Sequence, residues 1–159
     1  MTTTTHGSFV IERRYQAAPQ RVFAAWSDPA AKRAWFAAGE GREIESYELD
    51  FREGGTERSK FRFLKGEETF GEATSFGNHT VFNEIAPYER IIFTYSMDRN
   101  STRFSVSLAS VELKPADKGT RLILTEHGAF FDGADGIKMR EAGWQELLQK
   151  LDEHLAKGA

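Results

Sequence analysis

Phe9, Ile11, Arg13 and Tyr15 alternate with Val10, Glu12 and Arg14, the two-residue period of a strand with one face turned inward. This predicts a first strand over about residues 8–16, preceded by a polar, Thr-rich flexible tail over residues 1–7. Ala18-Pro19 then opens a helix, because proline at the first helical position has a suitable φ already set and loses no needed N–H. Val22, Phe23 and Trp26 form the buried side of that helix. Asp28-Pro29 repeats the signal, with Asp28 as N-cap, and starts a second short helix carrying Ala34, Trp35 and Phe36.

From Arg42 to about Phe130 the pattern becomes alternating, with β-branched and aromatic runs separated by turn residues, and predicts an antiparallel meander of six strands. The breaks fall at Gly54-Gly55, Lys65-Gly66, Gly77-Asn78, Ala86-Pro87, Asp98 to Ser101 and Pro115 to Gly119. In the strand that carries Phe104, Val106 and Leu108, those residues share one parity while Val111 and Leu113 share the other. An extra residue near Ala109-Ser110, a β-bulge, would reconcile the two. From about Gly136 to Ala156 the period turns helical: Trp144, Leu147, Leu148, Leu151 and Leu155 form one stripe, opposite Glu141, Gln145, Gln149 and Asp152.

Strand, two short helices, six strands and a long helix make an α+β fold in which a curved seven-stranded antiparallel sheet has one apolar concave face to cover. The terminal helix is the cover. A helix is only about 10 Å across with its side chains, so it leaves part of the hollow unfilled, and a cavity between sheet and helix is expected.

The chain has 159 residues, enough for a single domain, placed here over residues 8–157. Its 13 Phe residues suggest a bulky core or a cavity lined by rings. With 21 Lys and Arg against 24 Asp and Glu, it has no cationic excess to neutralise nucleic acid or an anionic membrane. No Cys is present, which removes disulfides, thiolate metal sites and a Cys nucleophile together. No stretch has the length and apolarity of a leader or a membrane span, so a cytoplasmic location is expected. His6, His79, His127 and His154 show no metal-ligand spacing, and no nucleophile stands with a base. Neither a metal nor a cofactor is expected.

The short motifs, taken in order, are similar to those of one known family. Arg13, Ala18-Pro19, Val22-Phe23 and Trp26-Ser27-Asp28-Pro29, followed by Trp35, resemble the opening of the heat-shock protein 90 ATPase activator homologue domains, members of the START-like (SRPBCC) superfamily. Leu49 to Gly55, Glu84 to Pro87 with Arg90 to Tyr95, Gly119 to Leu122, and Gly143-Trp144 with Leu151 and Leu155 resemble its later motifs. The resemblance implies the helix-grip fold, also seen in Bet v-like proteins, and a hydrophobic pocket, without fixing a ligand. START-like relatives bind lipids or flavonoid-like compounds, sequester toxic small molecules, or cyclise polyketides. The eukaryotic chaperone activators carry an additional N-terminal domain, whereas the first strand here is expected near residue 8.

In the strand order that the resemblance implies, the first and last strands are neighbours, which would let Arg13 and Glu126 pair, as a ligand anchor or as a structural ion pair. The remaining expected cavity residues are Phe61, Phe63, Phe82, Phe93, Tyr95 and Phe104 on strands, with Phe130, Met139, Trp144 and Leu148 around the closing helix. Phe70 and Phe131 belong to the same aromatic set. Trp35 and Phe36 lie beside the expected mouth, where they gate entry or seal the core. The leading expectation is non-catalytic binding of a hydrophobic or aromatic small molecule by a monomer or homodimer. The alternatives are a polyketide cyclase-like enzyme and a regulator of a chaperone ATPase, or another stress-related module that binds a partner protein.

Overall fold

A computed structural model describes residues 2–39, 41–63, 74–133 and 136–158. Strand β1 (Thr4–Tyr15) is followed by helix α1 (Pro19–Ser27), helix α2 (Pro29–Lys32) and a π-helical turn over Arg33–Ala37. Six strands come next: β2 (Arg42–Leu49), β3 (Thr56–Phe63), β4 (Ser75–Ala86), β5 (Arg90–Arg99), β6 (Thr102–Ala116) and β7 (Gly119–Phe131). Helix α3 (Ile137–Lys157) closes the chain. All seven strands form one antiparallel sheet in the order β1-β7-β6-β5-β4-β3-β2, the helix-grip arrangement.

Three expectations need correction. The first strand starts at Thr4, so residues 4–7 are not part of a tail: they pair with residues 128–131 of β7. Threonine is β-branched and fits a pleated ladder, and β7 is long enough to offer a partner. Second, Gly77-Asn78 is no turn and lies inside β4. A Cβ on Gly77 would stand 2.7 Å from Asp98 Oδ1 and 3.1 Å from the Ser59 carbonyl, so this glycine permits a close approach between strands.

Third, β6 pairs with β7 without interruption from Ser105↔Phe130 to Ala116↔Gly119, and no bulge occurs at Ala109-Ser110. The register shift lies instead between Met97 and Asp98, opposite Phe104. From there the inward residues of β6 are Ser105, Ser107, Ala109, Val111 and Leu113, while Val106 and Leu108 are exposed on the outer face. Further shifts at Ile44/Ser46 and Phe82/Glu84 bend the sheet at other points. The expected break at Lys65-Gly66 lies outside the described residues.

Among the described residues a dense aromatic core fills one end of the hollow. Trp26 and Trp35 meet edge to face with centroids 4.9 Å apart, and Trp26 stacks on Trp144 of α3 at 6.1 Å. Around them pack Ile11, Val22, Val111, Leu122, Leu124, Leu148 and Leu151, all buried. Asp28 caps α2, its Oδ2 accepting from Ala31 N at 2.9 Å. Arg21 of α1 donates to the carbonyls of Leu155 and Gly158, satisfying acceptors that the end of α3 would otherwise leave unpaired. Among the described residues no helix is long and apolar enough to cross a membrane.

Candidate functional site

Between the other end of the sheet and α3 lies a cavity of about 820 Å³. Its floor follows from strand alternation. On β4 the inward residues are Phe76, Asn78, Thr80 and Phe82, and each sits across from inward residues of its neighbours. Phe82 pairs with Phe93, Thr80 with Glu57 and Tyr95, Asn78 with Ser59 and Met97, and Phe76 with Phe61 and Arg99. Two polar rungs therefore run across the floor between two aromatic ones. Phe63 and Phe104 extend the second aromatic end, with Phe61 and Phe76 stacked at 5.8 Å.

The polar rungs are internally bonded. Lys32 Nζ donates to Glu57 Oε2 at 2.8 Å, and the Tyr47 hydroxyl donates to the same oxygen at 2.6 Å. The Lys32 ammonium also lies 4.3 Å from the Phe36 ring centre and 5.0 Å from that of Trp26, so cation–π attraction adds to the ion pair. Burial, and then the adjacent Glu57 charge, push the Tyr47 hydroxyl up, which keeps it a neutral donor. Ser59 Oγ donates to Asn78 Oδ1, and Asn78 Nδ2 to Thr80 Oγ1 at 2.8 Å.

Behind the Tyr95 ring a second buried cluster joins the sheet to α3. Arg140 donates from NH1 to the Tyr95 hydroxyl at 3.0 Å and from NH2 to Ser105 Oγ at 2.7 Å. It faces Glu126 Oε2 at 3.4 Å. Glu126 also accepts from Trp144 Nε1 and from the Tyr95 hydroxyl, each at 2.8 Å. Desolvation outweighs the Arg140 charge and these hydrogen bonds, holding the Glu126 carboxyl above the usual range. The Tyr95 hydroxyl is likewise pushed up, mainly by burial.

The π-helical turn, the start of β2 and α3 complete the lining with Phe36, Arg42, Glu146 and Lys150. Arg42 lies 5.3 Å above the Phe61 ring. Burial lowers the proton affinity of its guanidinium, while Glu146 opposes that shift.

Phe36, Phe61, Phe63, Phe82, Phe93, Tyr95, Phe104, Met139 and Trp144 line the cavity. The other sequence candidates do not. Arg13 donates to Gln149 on α3 at 2.8 Å and does not meet Glu126. Its cross-strand partner is Leu122, whereas that of Glu126 is Phe9, a separation of four residues or about 13 Å along the strand. Trp35, 1% exposed, is a core residue whose Nε1 donates to the Ala25 carbonyl at 2.8 Å. Glu126 and Phe130 are buried beneath Arg140, and Leu148 belongs to the closed part of the core. Phe70 lies outside the described residues.

Lys32, Glu57, Ser59, Asn78, Thr80 and Arg140 escaped the sequence reading. Glu57 and Ser59 nevertheless share parity with Phe61 and Phe63, and Asn78 and Thr80 with Phe76 and Phe82. Arg140 precedes Trp144 by one turn and stands on the same stripe. The signal was polar residues at inward positions, readable only once inward had been defined for the whole sheet.

A family model described as Activator of Hsp90 ATPase homolog 1-like protein matches residues 16–156. A protein of known structure from Rhizobium leguminosarum is 34% identical, with a TM-score of 0.89 and 99% of each chain covered. One from Rhizobium loti is 39% identical, with a TM-score of 0.82 over 96% of this chain and 99% of that one. An AHSA1-like protein from Aeromonas hydrophila, 18% identical, shares the fold at a TM-score of 0.69, covering 94% of this chain and 92% of its own. No curated protein sequence matches.

Proposed function

Given that the chain belongs to the Activator of Hsp90 ATPase homolog 1-like family, we propose that it binds a hydrophobic or aromatic small molecule between sheet and α3 without transforming it. The observation that carries this reading is the cavity itself. About 820 Å³ remains open beside a core packed with three Trp rings, and it is faced by rings from β3, β4, β5 and β6. A space of that size, largely apolar with a few convergent polar groups, has the character of a small-molecule site. On the floor Lys32 and Tyr47 bond to Glu57 Oε2, and Ser59, Asn78 and Thr80 bond in a row; among the described residues of the lining none is arranged as a nucleophile with a base behind it.

A thermal-melting screen of apolar and polyphenolic compounds tests the reading. A ligand at about one hundred times its Kd stabilises the folded state by about 2.7 kcal/mol, a shift of several degrees. A screen in which no compound raises the melting temperature would remove the proposal. Mass spectrometry of the recovered ligand separates the binder from a cyclase-like enzyme: an unchanged mass and retention time are expected.

One observation favours a second reading, a surface for a partner protein such as a chaperone ATPase. Val106 and Leu108 on β6 and Val10 on β1 stand exposed on the outer face of the sheet, at 43%, 47% and 63%. Val106 and Leu108 are neighbours on one face of β6, and adjoining exposed apolar side chains mark an interaction surface more often than scattered ones do. A pull-down with the purified ATPase, lost in Leu108→Lys, is the expected result for this reading.

A further inference from the structure

Resting on the binding role just proposed, the geometry points, we infer, to a head-group subsite at Glu57, Ser59, Asn78 and Thr80 that selects an uncharged aromatic ligand bearing a hydroxyl or N–H donor over its carboxylated analogue. All four side chains face the cavity and all four are buried, at 8% exposure or less. They interrupt what would otherwise be a continuous aromatic floor: Phe82 and Phe93 lie on one side, Phe61 and Phe76 on the other. Polar groups buried in such a place are costly unless hydrogen-bonded, and leucine or valine at those positions would pack the floor without that penalty. Their presence in the middle of the lining is what makes them a recognition device.

Arg42, Arg99 and Lys150 also line the cavity, but the charge directly beside this row decides which head group fits. Lys32 is the ammonium nearest this row, and its Nζ is already paired with Glu57 at 2.8 Å and held over the Phe36 and Trp26 rings. Together the pair has no net charge to offer an anion. Lys32 and Tyr47 both donate to Oε2 of Glu57, and Oε1 takes no part in either bond. A carboxylate acceptor beside hydroxyl and amide groups suits a donor on the ligand, through a charge-assisted hydrogen bond. A ligand carboxylate in the same place would face Glu57 across a desolvated site and be repelled. Rings on either side then take the apolar body of the ligand.

Three matched probes test this: methylpyrene, pyrenemethanol and pyrenecarboxylate, titrated by fluorescence anisotropy into the full chain and into the Glu57→Gln and Thr80→Val variants. In the wild-type protein pyrenemethanol is expected to bind about tenfold more tightly than methylpyrene, the worth of a hydrogen bond to a charged group, and pyrenecarboxylate more weakly than pyrenemethanol. Both variants should narrow the alcohol's advantage and leave methylpyrene unchanged. Thr80→Val keeps the side-chain shape and leaves the Lys32 pair intact, so it decides the matter if Glu57→Gln does not fold. Equal affinities for the alcohol and the hydrocarbon, or tightest binding of the acid, would overturn the head-group subsite while leaving apolar binding in place. Failure of all three probes to bind would overturn both.

Discussion

Arg140 reaches from the first turn of α3 to Glu126 on β7, and the two meet at 3.4 Å with exposures of 7% and 0%. A cation in the first turn opposes the helix dipole, so its position is explained by the tertiary partner. Arg140→Met leaves the carboxylate buried without its counter-charge and should lower stability by about 3–5 kcal/mol at neutral pH. Replacing both partners, as Arg140→Met with Glu126→Leu, should recover most of that loss. Urea unfolding of the three proteins measures both effects; a single-variant loss under about 1 kcal/mol would mean the pair contributes as little as a surface bridge.

The same carboxyl sets a pH dependence. Its folded-state pKa is raised above the ordinary value of 4.5, chiefly by burial. The native chain therefore holds this proton more tightly than the unfolded one. Its contribution to stability is fully present below the ordinary value and is lost as the pH rises through the folded one. Urea midpoints of the wild type, taken relative to Glu126→Gln, should fall from about pH 4 upward and then level off. The opposite slope would show that Arg140 and the hydrogen bonds outweigh desolvation.

Trp35 and Phe36 are adjacent in the chain and separate in role. Trp35→Ala should cost about 3–5 kcal/mol, as expected for deleting a large core ring, and calorimetry would register it. Phe36, partly exposed and lining the cavity, should cost about 1 kcal/mol on truncation to Ala but weaken a bound apolar probe such as methylpyrene about fivefold, through lost apolar contact. Equal effects of the two substitutions on probe affinity would contradict this division.

Gly54 and Gly55 form the β2–β3 connection for different reasons. Gly54 has φ +80° and open space around it, so Gly54→Ala is penalised by conformation alone, by about 1 kcal/mol. Gly55 has no room: a Cβ would fall 2.2 Å from the Asp50 carbonyl oxygen. Gly55→Ala must move backbone that is tied to β4 through Phe82 N, which donates to Gly55 O at 3.0 Å, and should lose more than about 2 kcal/mol. Thermal melting of the two variants side by side checks the order.

Element identity was legible because it depends on local rules. Pro19 and Pro29 marked both short helices, and the Trp144, Leu148, Leu151 and Leu155 stripe marked α3. Turn residues placed the loops after β2, β4, β5 and β6. Where a rule had two meanings the sequence misled: glycine signals a turn or a close approach, and at Gly77 it was the latter. In β6 the change of apolar parity after Leu108 suggests a bulge, yet Ser105 and Ser107 face the interior in register with Val111, and Arg140 hydrogen-bonds to them.

The sequence by itself therefore determined the seven strands, three helical segments and the ring-rich concave face, since periodicity and turn chemistry act between residues close in the chain. Tertiary structure alone decided that Glu126 pairs with Arg140 and not Arg13, that Lys32 reaches Glu57, and that polar rungs cross the cavity floor. Those pairings depend on strand register and on how α3 lies over the sheet. Register is a long-range property, and a shift of a few residues moves a charge by a distance that no short-range pattern can detect.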